Sequence, residues 1–123
     1  MPQATASRIV VAAVDDIFFA AKIDAEARRA MVQLIEARDA EELSRRLAGI
    51  VPDLVILDLN GKACRPIDSI RQIKEDPRLA RVPMVGFFSH VQTDLEKAAR
   101  EAGCDHVIPR SVFVRNLPEI LRC

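Results

Sequence analysis

The spacing of apolar residues changes repeatedly along the chain, and each change marks an element. Arg8 to Val14 is a short apolar run rich in β-branched residues, and it ends in Asp15 and Asp16, as a strand buried on both faces would. From Ile17 the period lengthens: Ala20, Ile23, Ala27 and Ala30 share one helical face, with Arg28 and Arg29 off it. Met31 to Ile35 predicts a second strand. Asp39 followed by Glu42 reads as a variant capping box, opening a helix whose stripe is Leu43, Leu47 and Ala48 and whose end is Gly49.

Leu54 to Leu57 is the clearest buried strand, with Asp58 directly after it. The loop from Asn60 to Arg65 leads to Pro66, which suits the first turn of a helix lined by Ile67, Ile70 and Ile73 and stopped at Asp76-Pro77. Val82 to Phe88 predicts a fourth strand, ending at Ser89. Asp94 to Ala102 predicts a helix with Leu95, Ala98, Ala99 and Ala102 on one side and Gly103 as its stop. His106 to Ile108 predicts a short fifth strand. One last helix carries Val112, Phe113, Leu117, Ile120 and Leu121.

Five strands alternating with five helices predict an α/β domain: a doubly wound, flavodoxin-like parallel sheet of order 2-1-3-4-5, with helices on both faces. In that order, strands one and three meet at the switch point, and ligands bind in the crevice beyond their C-terminal ends. Asp15, Asp16 and Asp58 are therefore expected to converge there, within reach of one metal. Clustered carboxylates repel unless a proton or cation intervenes. Oxygen ligands favour a hard cation such as Mg²⁺. A carboxylate beside such a cation can act as a nucleophile toward a phosphoryl group, and Ser89 is placed to donate its hydroxyl to a phosphoryl oxygen. The structural alternative stands beside this: an Asp after a strand is often a helix N-cap, and Asp16 can be that alone.

Composition narrows the picture. The 123 residues fit one domain, residues 1–123, and half of them are hydrophobic, enough for one core. With 18 basic and 18 acidic residues there is no net field to attract nucleic acid or an anionic membrane. The longest apolar run, Ile9 to Val14, is far short of a membrane span, and the N-terminal residues carry no secretory pattern. Cys64, Cys104 and Cys123 are odd in number and widely spaced, which argues against a disulfide framework or a zinc site and for a reducing, cytoplasmic setting. Cys104 reads as core packing. Of Phe18 and Phe19, one is expected in the core and the other at the crevice. His90 and His106 read as solvated side chains rather than ligands.

Over nearly its whole length the chain resembles the receiver domain of bacterial two-component response regulators. Ile9 to Asp16 is similar to that family's first strand and acidic pair, and Pro52 to Asn60 to the strand that ends in the phosphorylated aspartate. Pro83 to Ser89 is similar to the fourth strand with its switch hydroxyl, and Ala102 to Ile108 to the approach to strand five. The resemblance implies that Asp58 is the phosphoacceptor. It implies that Asp15, Asp16, Asp58 and the backbone carbonyl of Asn60 hold Mg²⁺, and that Ser89 bonds the phosphoryl group. It further implies a phosphoprotein that is not itself an enzyme, with a sensor histidine kinase or phosphotransfer protein upstream and a protein target downstream. A homodimer stays open.

The chain departs from the family at several points. The usual strand-five Lys followed by Pro is replaced by Pro109-Arg110-Ser111, so the cation falls one residue late. Arg110 is the candidate stand-in for that Lys, yet Pro109 fixes the backbone before it, and strand alternation favours a solvent-facing side chain. His106 stands where an aromatic switch residue is common, His90 where a small residue is usual, and the loop after Asp58 lacks the customary Pro-then-Gly pattern. Three functions therefore compete: a stand-alone phosphorelay receiver, a phosphorylation-independent pseudo-receiver, and a small flavin or nucleotide carrier. The absence of Tyr and Trp and of a Gly-rich phosphate loop counts against the last.

Overall fold

The computed structural model describes residues 8–122. The readings made of the N-terminal residues and of Cys123 lie outside them. The strands are β1 (Ile9–Ala13), β2 (Gln33–Ala37), β3 (Leu54–Asp58), β4 (Met84–Phe88) and β5 (His106–Pro109). The helices are α1 (Ile17–Arg29), α2 (Ala40–Ala48), α3 (Pro66–Glu75), α4 (Thr93–Ala102), α5 (Arg110–Arg115) and α6 (Leu117–Arg122). All strand pairings are parallel, in the order β2-β1-β3-β4-β5, the expected doubly wound sheet.

Because both faces of the sheet are covered, the central strands are apolar on both sides and feed two cores. On one face, Val10, Ala12, Ile56, Val85 and Phe87 pack with Phe19 and Ile23 of α1 and with Phe113, Leu117 and Leu121 of α5 and α6. On the other, Val11, Ala13, Val55, Leu57, Met84 and Phe88 pack with Leu43 and Leu47 of α2, Ile70 and Ile73 of α3, and Ala99 of α4. The alternation of successive side chains between faces makes this division.

Local signals operate as physical chemistry demands. Asp39 caps α2, its carboxylate accepting from Glu42 N at 2.7 Å, while Glu42 reaches back to Arg38 N at 2.8 Å. Pro66 occupies the first turn of α3, where no N–H is needed. Gly103 ends α4 at φ 115°, a conformation that a β-carbon would oppose.

Two expectations are corrected. The second strand begins at Gln33, not Met31, because Met31 adopts a left-handed φ of 58° and the N–H groups of Met31 and Val32 close the end of α1 onto Arg28 and Ala27. The last helix is two helices, α5 and α6, meeting at Asn116. Pro118 has no N–H to continue the ladder across that junction.

Candidate functional site

The C-terminal ends of β1 and β3 are neighbours, since Ala13 pairs with Leu57. The chain therefore leaves both strands at the same edge, where the crevice of a doubly wound sheet forms. Asp58 is the last residue of β3 and is half-buried there. Burial raises its carboxyl above the usual carboxylate range, and the nearby Asp15 charge adds to that. The N–H groups of Asn60 and Gly61 and the Arg110 cation pull the other way. Asp58 Oδ1 accepts from Asn60 N at 3.0 Å.

Asp15 leans from the end of β1 onto the loop after Asp58. Its Oδ2 accepts from Ala63 N at 3.2 Å. A β-carbon on Gly61 would stand 2.8 Å from Asp15 Oδ1, so any other residue at position 61 would push the Asp15 carboxylate aside. Asp16 does something different. It is the N-cap of α1, with Oδ1 accepting from Phe18 N at 2.9 Å and Phe19 N at 3.2 Å. The expected convergence of three carboxylates is accordingly corrected: among the described residues, no three His, Cys, Asp or Glu side chains are grouped so as to hold a metal. Asp16 is drawn off by the unpaired N–H groups at the start of α1, which attract a carboxylate strongly.

The donor set still fits a hard divalent cation. The Asp15 charge raises the cost of ionising Asp58, both side chains present oxygen, and the Asn60 carbonyl lies on the same loop. Two carboxylates are the number Mg²⁺ commonly takes while keeping several waters.

On the far side of the crevice, β4 ends at Phe88 and Ser89 follows it directly. Asn60 Oδ1 accepts from both Ser89 N (2.5 Å) and His90 N (3.2 Å), tying the loop after β3 to the loop after β4. Sequence reasoning credited Asn60 only with its backbone carbonyl. No local signal announces the side-chain role, because its partners are 29 and 30 residues away. His90 is exposed and lines, with Asn60, Lys62, Arg65 and Leu95, a cavity of about 530 Å³ beside the loop.

Arg110 does not face away into solvent, which corrects the expectation drawn from strand alternation. It is the first residue of α5, so alternation no longer governs it. Its guanidinium lies over the Phe19 ring, 3.9 Å from the centroid, and Nη1 is 3.4 Å from Ser89 Oγ. Phe19 is buried, as expected of one of the two phenylalanines, and Phe18 is 83% exposed.

No protein-family model matches the chain, and no curated protein matches it. Solved structures do. A response regulator from Hahella chejuensis superposes with a TM-score of 0.84 at 20% identity, covering 94% of this chain and 93% of that one. The phosphorylated cyanobacterial phytochrome response regulator RcpA gives 0.82 at 21% identity, over 95% and 90%. The Mn²⁺-bound response regulator Rcp1 gives 0.80 at 18% identity, over 92% and 91%. The chain has the response-regulator receiver fold.

Within that receiver fold, Asp15, Asp58, Asn60, Ser89 and Arg110 border one crevice, and Asp16 anchors the helix beside it. His106 is exposed on β5. Cys64 and Cys104 are buried free thiols, as core packing requires. Among the described residues, no helix is long and apolar enough to cross a membrane.

Proposed function

We propose that this chain is a phosphorelay receiver that takes a phosphoryl group on Asp58 and passes the signal on by protein contact. The observation that carries the reading is Asp58 itself. It is a half-buried carboxylate at the end of β3, flanked by Asp15 on one side and by Ser89 and Arg110 on the other. An Asp58 carboxylate oxygen attacks the phosphorus of a phosphodonor. The new P–O bond makes an acyl phosphate as the donor's own bond to phosphorus breaks, and the donor leaves with that electron pair. Asp15, Asp58 and the Asn60 carbonyl are the residues that would hold Mg²⁺, which supplies charge neutralisation for the transferring oxygens. Ser89 donates its hydroxyl to a phosphoryl oxygen, and Arg110 provides the cation that the family places as Lys.

Upstream, the chemistry calls for a histidine kinase or phosphotransfer protein, and downstream for a protein target. The domain is then a switch rather than an enzyme. The test is incubation with acetyl phosphate and Mg²⁺ followed by intact-mass measurement. One phosphoryl adduct is expected in the native chain and none in Asp58→Asn.

The commitment of Asp16 to the α1 cap favours one second reading, a pseudo-receiver that works by contact alone. That reading holds if the native chain acquires no adduct while still binding its protein target.

A further inference from the structure

We propose that Phe19 is a positioning residue for phosphoryl transfer: its ring is the shelf that aims the Arg110 guanidinium across the crevice toward Ser89 and Asp58. The inference rests on the reading of Asp58 as phosphoacceptor and assigns a role to a residue outside the acid cluster. Arg110 enters the chain one position after the expected cation, behind Pro109, which fixes the backbone. An ammonium at that position has no planar surface to lay against a neighbour. A guanidinium has one, and it stacks on aromatic faces while keeping its N–H donors at the edge. In the structure, the guanidinium carbon is 3.9 Å from the Phe19 centroid and Nη1 points at Ser89 Oγ.

The shelf is braced. Phe19 follows the Asp16 cap by three residues and turns inward from the first turn of α1. Its ring centroid is 5.0 Å from that of Phe87 on β4 and 6.0 Å from that of Phe113 on α5. Phe87 and Phe113 stack on one another at 4.7 Å. Three elements thus fix the tilt of the ring, and the ring fixes the plane of the guanidinium. Phe19 is 4% exposed, with the guanidinium lying over its ring. A role in core filling alone would be served by any apolar side chain of this volume. The shelf needs the electron-rich face of an aromatic ring.

The experiment is a double-mutant cycle on the rate of Asp58 labelling by acetyl phosphate at fixed Mg²⁺, using Phe19→Leu, Arg110→Ala and the pair together. Each single change is expected to slow labelling by about two- to tenfold, the range spanned by a partly desolvated cation–π contact. The double variant should label no more slowly than Arg110→Ala, because Phe19 acts only through Arg110. Full-rate labelling in Phe19→Leu, or a double variant slowed by the product of the single effects, overturns the shelf. An unchanged rate in Arg110→Ala overturns the cation role on which the shelf depends.

Circular dichroism checks folding, and Phe19→Met is the replacement if Phe19→Leu unfolds. A second readout needs no labelling. In the NMR spectrum of the native chain, the Arg110 Hδ protons should be shifted upfield by the Phe19 ring and return to ordinary values in the Leu or Met variant. Unshifted protons in the native chain overturn the stacking. Shifted protons in a chain that never labels overturn the phosphoacceptor reading and leave the stacked pair as a fold contact, which also refutes its positioning role.

Discussion

Replacing Asp16 separates the two tasks that an acid at the end of β1 can perform. In the structure its Oδ1 satisfies two N–H groups of α1, at 2.9 Å and 3.2 Å. Alanine leaves both N–H groups to water, and loss of an N-cap costs about 1 kcal/mol. The carboxylate also faces the positive end of a 13-residue helix, worth up to about 1 kcal/mol more at low salt. Relief of repulsion from the adjacent Asp15 offsets part of the second contribution, so Asp16→Ala should lose roughly 1 kcal/mol in all. With a urea m-value of about 1.5 kcal/mol/M, the unfolding midpoint should fall by about 0.7 M at unchanged slope.

Asparagine caps a helix about as well as aspartate. Asp16→Asn should therefore keep most of the native midpoint. Urea melts of the three proteins, followed by circular dichroism without Mg²⁺, make the comparison. A native midpoint in Asp16→Ala would refute the cap, as would an Asp16→Asn variant as unstable as the alanine one. Repeating the melts with Mg²⁺ tests the second task. If Asp15 and Asp58 are the principal carboxylate ligands, Mg²⁺ should raise the midpoint of Asp16→Ala and of the native chain by similar amounts.

Asp58→Asn should be more stable than the native chain at pH 7, because it removes a carboxylate whose ionised form is disfavoured by burial and by Asp15. A group whose folded pKa is raised binds protons more readily folded than unfolded, so stability falls as pH rises through that window. The advantage of Asp58→Asn in thermal melts should accordingly shrink as pH is lowered below the carboxylate range, and an advantage that grows there would contradict the assignment. Burial pushes the Cys64 thiol up to about 12, with the charges of Asp15 and Asp39 adding to it, so Cys64 should resist iodoacetamide in the folded chain at pH 8. Mass spectrometry of the tryptic fragment reads the result, and rapid alkylation without unfolding would sink the idea. Asn60→Ala removes the acceptor shared by Ser89 N and His90 N, and both amides should exchange with deuterium several-fold faster while those within β4 do not. Unchanged exchange at both would show that the two loops are held by something else.

The fold was legible in the sequence because its signals are local. A strand buried on both faces must be apolar throughout, so the runs at Ile9–Val14 and Leu54–Leu57 declare themselves, and an acid after each marks the C-terminal edge. Asp39 with Glu42 and the glycine at position 103 announce their helix ends through bonds to residues a few positions away. The error at Met31 arose where an apolar side chain takes a backbone conformation that sequence pattern does not encode, and the break at Asn116 where a proline interrupts an otherwise continuous apolar stripe. At the site, residue types and strand ends put Asp15, Asp16, Asp58 and Ser89 at one edge of the sheet, with Arg110 a candidate cation read as facing solvent. What each side chain does there was settled by partners distant in the chain.

Asp16 was read as either a cation ligand or a helix cap, and α1 brings two N–H groups onto its Oδ1. Asn60 was known by its position alone, and its amide oxygen accepts from the N–H groups of Ser89 and His90 in the loop after β4. Arg110 was read by strand alternation, and α5 begins at that very residue, releasing it to lie on Phe19, 91 positions earlier in the chain. Hydrophobic periodicity reports which face of an element is buried, and that was enough for the sheet and its crevice. The direction of a polar side chain at the crevice depends on which donors and rings the folded chain brings beside it, and only the tertiary structure supplies those.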